Sequence, residues 1–244
     1  MNAVATDSNR TYIIHLLYMI TSMNLCEKRA CIFDLDGTLL DTLDDLADAV
    51  NHALAACRLP LRSRQDIRRF LGNGVRSLVT QSAAPMADAD MTERALTLFR
   101  AHYLEHSMDK TKPYDGILPL LDALKAHGVR TAIVSNKLQE AVTGLADHFF
   151  VGRIDVAIGE REGIRRKPAP DMLLEGLRLL DATPEETLYV GDSEVDYACA
   201  QAAGIDCASV LWGFRDEDFM RRHCPGATFF FHPQDLQQAL TACR

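Results

Sequence analysis

The chain has 244 residues, of which 48% are hydrophobic and 25% are charged, and this suits either one large globular domain or a core domain carrying a smaller one. Its net charge of -8 argues against a nucleic-acid-binding surface, because contacts to a phosphate backbone require an excess of clustered lysine and arginine. Seven cysteines without a C-x-x-C pair indicate neither a disulfide framework nor a zinc site, so we expect a cytoplasmic protein.

The N-terminal segment, residues 1–28, contains one apolar run, YIIHLLYMI (12–20). This run is too short to span a bilayer, and no small-residue cleavage pattern follows it. Met23 stands just before the first predicted strand. We therefore interpret residues 1–28 as a loosely attached appendage or the result of a misassigned start codon, and we expect no membrane association.

The first predicted strand, ACIFD (30–34), is followed by a long segment with helical periodicity and no strand pattern. Its helical stretches are LDDLADAVNHALAAC (43–57), DIRRFLG (66–72), VRSLVTQSAA (75–84) and MTERALTLFRAHYLEH (91–106). The proline and glycine of KPYDG (112–116) mark the return of the chain. We predict an inserted all-helical cap domain over residues 43–112.

Beyond residue 113, runs of strand length alternate with helical patterns. The predicted strands are VRTAIVSN (129–136), IDVAIGE (154–160), TLYVGD (187–192) and DCASVLW (206–212). The predicted helices are LPLLDALKAHG (118–128), LQEAVTGLADHF (138–149), APDMLLEGLRLL (169–180) and EVDYACAQAAG (194–204). This alternation predicts an α/β fold with a doubly wound, Rossmann-like parallel sheet, formed by residues 29–42 and 113–244.

Polar residues follow most of the predicted strands, where an open parallel sheet binds its ligands. Asp34 and Asp36 follow the first strand, and their i, i+2 spacing in an extended segment directs both carboxylates into one space. Two such carboxylates repel each other unless a cation lies between them. The other candidates are Ser135 and Asn136, Lys167, Asp192 and Asp196.

Four short motifs occur in order at these strand ends: DLDGT (34–38), SN (135–136), KPAPD (167–171) and GDSEVD (191–196). Together they resemble the four motifs of the haloacid dehalogenase superfamily. The helical insertion is similar to the small cap of its phosphoglycolate phosphatase and phosphoglucomutase branch. Two further stretches resemble the phosphoglycolate phosphatase group, namely GNGVRSLV (72–79) and LWGFRDEDF (211–219).

The resemblance implies a phosphomonoester hydrolase with an aspartyl-phosphate intermediate. Asp34 would be the nucleophile, and Asp36 would protonate the leaving group and then activate water. Lys167 would neutralise charge, while Ser135 and Asn136 would bind the phosphoryl oxygens. Because the carbon–halogen hydrolases of the superfamily lack the second aspartate, Asp36 favours a phosphatase.

The expected cofactor is Mg²⁺, the natural ion for a site made only of oxygen ligands. We expect its ligands to be the side chain of Asp34, the backbone carbonyl of Asp36 and the side chain of Asp192. Asp196 follows as a direct or water-mediated contact, although an acid in the first turn of a helix also suits the helix dipole alone.

The expected partner is a small-molecule phosphate ester, with 2-phosphoglycolate as the best single candidate. We predict that the cap loop Gly72, Asn73 and Gly74, together with Arg76, reads an anionic group of the substrate. A solvated helix face is the plain alternative for this arginine. We expect a monomer or a homodimer.

Several other functions remain open from the sequence. A β-phosphoglucomutase-like sugar-phosphate mutase, a pyrophosphatase and a nucleotidase would use similar residues. A receiver-like module would accept phosphate on an aspartate without turnover, but it requires neither Asp36 nor a cap. An EF-hand is disfavoured because Gly37 stands at the fourth position of the D-x-D segment rather than the sixth.

Overall fold

A computed structural model describes residues 24–242 of the chain. Most of the predicted appendage, including the run at 12–20, lies outside the described residues. A short 3₁₀ turn at Leu25–Glu27 precedes the first strand. Because Leu25 is fully buried among core side chains, the packed part of the protein begins before the predicted boundary at residue 28.

The core is a six-stranded parallel sheet, as the alternating pattern predicted. Its strands in chain order are β1 (Ala30–Phe33), β4 (Arg130–Leu138), β5 (Val156–Glu160), β6 (Thr187–Gly191), β7 (Asp206–Val210) and β8 (Thr228–Phe230). In space the order is β5-β4-β1-β6-β7-β8, so β1 lies between β4 and β6. Three polar strand ends therefore meet at the centre of one sheet edge.

Helices cover both faces of the sheet. They are α5 (Ile117–Ala126), α6 (Gln139–Phe149), α7 (Asp171–Leu180), α8 (Glu194–Ala203), α9 (Glu217–His223) and α10 (Pro233–Thr241). Alternate side chains of β1 point to opposite faces. Cys31 and Phe33 pack in the cluster that contains α5, α6 and α10, whereas Ala30 and Ile32 pack in the cluster of α7 and α8. Burial on both sides explains why β1 is a continuous apolar run.

The helical insertion consists of α1 (Leu43–Ala56), α2 (Arg64–Phe70), α3 (Gly74–Ala83) and α4 (Ala89–His106). Its apolar faces form a cluster of their own, to which the core contributes Ala141 and Phe214. Two short strands, β2 (Leu40–Asp41) and β3 (Lys112–Pro113), pair antiparallel where the chain leaves and re-enters the core.

The predicted fold class is confirmed, and the structure adds elements at the C-terminal end. The strand β8 and the helices α9 and α10 were not predicted, because their apolar patterns span only three to nine residues. Among residues 24–242, no helix is long and apolar enough to cross a membrane.

Candidate active site

A cavity lies at the carboxyl ends of β1, β4 and β6, beneath the helical insertion. Its charged lining residues all come from the core: Asp34, Asp36, Lys137, Lys167, Asp192 and Arg215. The insertion contributes apolar side chains and glycines, with Leu46, Leu71, Val75 and Leu78 forming the ceiling. The cavity therefore has a charged floor and an apolar cover.

Lys167 joins two carboxylates at the floor of the cavity. Its Nζ lies 2.8 Å from Oδ1 of Asp34 and 2.7 Å from Oδ1 of Asp196, and it also contacts the Tyr189 hydroxyl and the carbonyl of Val134. Its side chain is only 3% exposed. The structure thus places the Lys167 ammonium against the predicted nucleophile, Asp34, and against Asp196.

Asp196 occupies the third helical position of α8 and forms a capping box with Ser193. Its Oδ2 accepts hydrogen bonds from the backbone N–H and the hydroxyl of Ser193, while its Oδ1 receives Lys167 and the hydroxyl of Tyr189. Despite complete burial, the ion pair with Lys167 lowers the pKa of Asp196. Both oxygens are thus committed to protein donors.

The other two buried carboxylates are those of Asp34 and Asp192. The positive charge near them does not offset the effect of burial on their pKa values. Burial and the charge of Asp196 raise the pKa of Asp34 to about 7, against the effect of Lys167. Burial and the charges of Asp196 and Asp34 raise the pKa of Asp192 well above its ordinary value. Ligand atoms of these three acids lie within 4.8 Å of one another. This donor set, made of oxygen and deficient in positive charge, fits a divalent cation.

Asp192 is held in a narrow slot between two glycines. A Cβ atom at Gly37 or at Gly213 would collide with its side chain, and Gly37 also has a φ of +85°, which favours glycine. The backbone N–H of Phe214 donates to Oδ2 of Asp192 at 2.7 Å. The loop after β7 therefore fixes the orientation of this predicted metal ligand.

Asp36 forms an ion pair with Lys137, a residue that the sequence analysis did not select. The Nζ of Lys137 lies 2.9 Å from both Asp36 oxygens, and Thr42 donates to Oδ1 at 2.7 Å. The Lys137 ammonium also lies 4.7 Å from the ring centre of Tyr103, a buried residue of α4. Lys137 directly follows Ser135 and Asn136 in the sequence, but no local pattern shows that it pairs with Asp36.

The environment of Lys137 preserves its charge. Burial by itself would lower the pKa of this lysine, but the Asp36 carboxylate and Tyr103 outweigh burial and raise it above its ordinary value. Burial raises the pKa of Tyr103 to about 12, although the positive charge of Lys137 opposes this shift. A neutral phenol and a charged ammonium thus face each other beside Asp36.

Ser135 and Asn136 differ in what they offer to a ligand. Ser135 lines the cavity, and its Oγ accepts a 3.3 Å hydrogen bond from the N–H of Lys137. The amide of Asn136 donates to the carbonyls of Lys167 and Gly72, and its oxygen accepts the N–H of Lys167. The Asn136 side chain lines the cavity as well, and its hydrogen bonds brace the Lys167 backbone and the insertion, so its binding of a phosphoryl group stays a prediction.

The predicted substrate loop is only partly at the cavity. Gly72 and Gly74 line it, whereas Asn73 is exposed and is not among the lining residues. Arg76 is about half exposed and pairs with Glu93 on α4, so the structure does not bring it to the cavity. The helical pattern of α3 in the sequence does not show which face of the helix packs against the core. For Arg76, a solvated helix face fits the structure better than a role in substrate binding.

Arg215 is a second lining residue that the sequence interpretation did not select. It belongs to the loop after β7, and its side chain is 10% exposed. Its Nε and Nη2 form a fork on the carboxylate of Glu194 at 2.8 and 3.1 Å, and Nη2 also donates to the carbonyl of Leu71 at 2.8 Å. Arg215 thus links the core to the insertion.

Comparison with known proteins agrees with this geometry. A family model described as haloacid dehalogenase-like hydrolase matches residues 31–210. A phosphoglycolate phosphatase of Aquifex aeolicus is 35% identical over 187 residues, covering 76% of this chain and 86% of the relative. Phosphoglycolate phosphatase 1 of Pseudomonas aeruginosa is 37% identical over 193 residues, covering 76% of this chain and 70% of the relative.

The fold comparison gives the same result. A crystal structure of a candidate phosphoglycolate phosphatase from Lactobacillus delbrueckii subsp. bulgaricus superposes with a TM-score of 0.82 at 36% identity, covering 87% of this chain and 98% of the other. The matched region contains all four motifs at the strand ends, which confirms the resemblance drawn from the sequence. The chain belongs to the haloacid dehalogenase-like hydrolase family.

Proposed function

We propose that the protein is a Mg²⁺-dependent phosphomonoester hydrolase that acts on a small phosphorylated acid, with 2-phosphoglycolate as the first candidate. The observation that supports this best is that Asp34 and Asp36 line one cavity while separate lysines hold them. Two acids in different environments can take different roles in one reaction. The names of the relatives from A. aeolicus and P. aeruginosa support the choice of substrate.

In the first half of the proposed reaction, Asp34 attacks the phosphorus atom. Lys167 holds Oδ1 of Asp34, which leaves Oδ2 for the attack. The bond from phosphorus to the ester oxygen breaks as the aspartyl phosphate forms, and Asp36 gives a proton to the departing alkoxide. Because Lys137 contacts both oxygens of Asp36, one of these contacts must be exchanged before that oxygen carries the proton.

In the second half, Asp36 accepts a proton from a water molecule that attacks the same phosphorus atom. The bond from phosphorus to Asp34 breaks, which restores the carboxylate and releases inorganic phosphate. The Ser135 hydroxyl would donate to a phosphoryl oxygen, since it lines the cavity and has no acceptor among the described residues. The ammonium of Lys167 would balance the charge that develops beside Asp34.

The residues that would hold Mg²⁺ are Asp34 and Asp192 through their side chains and Asp36 through its carbonyl. Asp196 would contribute indirectly, because its oxygens already accept protein hydrogen bonds. When bound, Mg²⁺ would supply the positive charge that lets an anionic carboxylate approach an anionic phosphate.

Residues 43–112 would form the cap of this active site. The ceiling residues Leu46, Val75 and Leu78 exclude water from the charged floor and limit the space for a leaving group. A small metabolite fits this arrangement better than a polymer or a phosphoprotein.

Three further expectations are part of the proposal. The protein would be a monomer or a homodimer. Cys57, Cys199, Cys207 and Cys224 are buried thiols without disulfides, which suits the cytoplasm. The acidic net charge of -8 suits a protein without a nucleic-acid partner.

The test is a phosphate-release assay of the purified protein with Mg²⁺ and several candidate substrates. We expect 2-phosphoglycolate to give a higher kcat/KM than glucose 1-phosphate, nucleoside monophosphates or pyrophosphate, and Asp34→Asn to abolish release. Isomerisation of glucose 1-phosphate without release would identify a mutase instead. A stable phosphoprotein without turnover would identify a receiver-like module.

A further inference from the structure

Three cationic side chains line the cavity, and two of them are fully engaged. The Lys167 ammonium contacts Asp34, Asp196, Tyr189 and Val134. Both oxygens of Asp36 bind Lys137, whose remaining side is covered by the Tyr103 ring. Neither lysine can bind a further anion without giving up a buried partner, which is costly.

Arg215 is different, because one of its terminal nitrogens is unused. Its contacts to Glu194 and Leu71 employ Nε and Nη2, while Nη1 has no hydrogen bond to the described residues. The side chain is nine-tenths buried and lines the cavity. Glu194 fixes the plane of the guanidinium, so the unused N–H groups have a defined direction. A preorganised arginine fork suits a planar carboxylate.

The position of Arg215 places it beside the leaving group of the proposed reaction. An in-line attack by Asp34 expels the ester oxygen on the opposite side of phosphorus, away from the sheet and toward the insertion. Arg215 donates a hydrogen bond to the Leu71 carbonyl of the insertion. A Cβ atom at position 72 would lie 3.1 Å from Nη2 of Arg215, so Gly72 leaves room for the guanidinium. The backbone N–H of the preceding residue, Phe214, donates a hydrogen bond to the Asp192 carboxylate.

We propose that Arg215 is the specificity-determining residue of this enzyme and that it binds a carboxylate on the leaving group of the substrate. This inference rests on the proposed function and deepens it, because it assigns the preferred substrate class to one guanidinium. The sequence analysis predicted that Arg76 of the insertion reads an anionic group of the substrate, and this inference assigns that role to Arg215 of the core.

The experiment compares two substrates of similar size, 2-phosphoglycolate and ethyl phosphate, which differ in the carboxylate. The measured quantity is the ratio of their kcat/KM values. We expect wild type to favour 2-phosphoglycolate by about ten- to a hundredfold, the effect of a charge-assisted hydrogen bond. Arg215→Gln should reduce the ratio to near one because kcat/KM falls more for 2-phosphoglycolate than for ethyl phosphate, and Arg215→Lys should retain part of the preference.

Two further variants separate recognition from folding. Arg215→Gln combined with Glu194→Gln removes both charges, so no unpaired carboxylate remains beneath the insertion, and this double variant should also lose the preference. Arg69→Gln is the matched control, because Arg69 lies exposed on α2 and its ion pair within residues 24–242 is with Asp66. It should keep the wild-type ratio.

The outcomes distinguish the inference from the proposed function. If wild type favours 2-phosphoglycolate and the folded Arg215 variants retain that preference, the inference is wrong and the proposed function stands. If Arg76→Gln alone removes the preference, the cap arginine is the reader and Arg215 is not. If wild type hydrolyses both esters equally, both the substrate assignment and the inference are overturned.

Discussion

Replacing Lys137 with methionine tests the assignment of Asp36 as the general acid and base. Methionine keeps most of the length of the side chain but removes the charge and both 2.9 Å contacts to Asp36. The pair is mostly buried, since the lysine side chain is 3% exposed and the aspartate side chain is 21% exposed. The contact of the ammonium with the Tyr103 ring is lost as well.

The magnitude follows from the burial of the pair. Removing one partner of a fully buried ion pair costs about 3–5 kcal/mol, because the other charge remains unpaired. Asp36 is partly exposed and keeps its bond from Thr42, so we expect a loss of about 2–3 kcal/mol in the free energy of unfolding. In a protein of this size, that corresponds to a fall of about 4–12 °C in Tm.

Catalysis should be affected unevenly. Without Lys137, Asp36 loses its fixed orientation, so hydrolysis of ethyl phosphate should fall by about a hundredfold or more, within the range of general acid–base catalysis. Hydrolysis of 4-nitrophenyl phosphate should fall much less, because nitrophenolate leaves without a proton. The assays are urea unfolding and kcat/KM for both esters.

The matched control is Lys110→Met. Lys110 pairs with Asp48 at 2.6 Å, but both side chains are more than half exposed, and such a pair contributes about 0–1 kcal/mol. This variant should have nearly wild-type stability and activity. Equal losses for the two esters in Lys137→Met, or no loss of stability, would refute the role given to the Lys137–Asp36 pair.

Three other predictions concern the metal site. Asp34→Asn should keep the fold and abolish turnover, as circular dichroism and phosphate release would show; a folded and active variant contradicts the assignment of the nucleophile. Because the pKa of Asp34 is raised to about 7, the metal-free protein binds a proton there at lower pH, so Mg²⁺ affinity measured by calorimetry should weaken by about tenfold per pH unit below 7. A pH-independent affinity between 5 and 8 would refute this. Gly213→Ala should displace Asp192 and weaken Mg²⁺ binding, and unchanged binding would show that the slot is not rigid.

The sequence was most informative about the centre of the sheet. Asp34 and Asp192 follow β1 and β6, and Ser135 lies in the last part of the neighbouring strand β4, so the rule that ligands bind at the carboxyl ends of parallel strands was sufficient to bring them together. Lys167, in the loop after β5, lines the same cavity.

The rest depended on information that local patterns do not contain. The pairing of Asp36 with Lys137 spans about a hundred residues and follows from two neighbouring strands rather than from a motif. The orientation of Arg76 depends on how α3 packs, and its partner Glu93 lies on another helix. The fork between Arg215 and Glu194 depends on the path of the loop after β7. Each of these is a tertiary contact between charged side chains. The apolar periodicity of the sequence does not show which charged residues pair with each other.

The division between a charged core and an apolar ceiling has a consequence for how this enzyme could be redesigned. The ceiling residues Leu46, Val75 and Leu78 contact the cavity without contributing to its charge balance. Exchanging them for smaller or larger apolar side chains would alter the size of the accepted ester, while the proposed nucleophile, the proposed acid and the proposed metal ligands would keep their partners. Changes in the insertion would therefore alter the shape of the cavity without altering the charged residues of its floor.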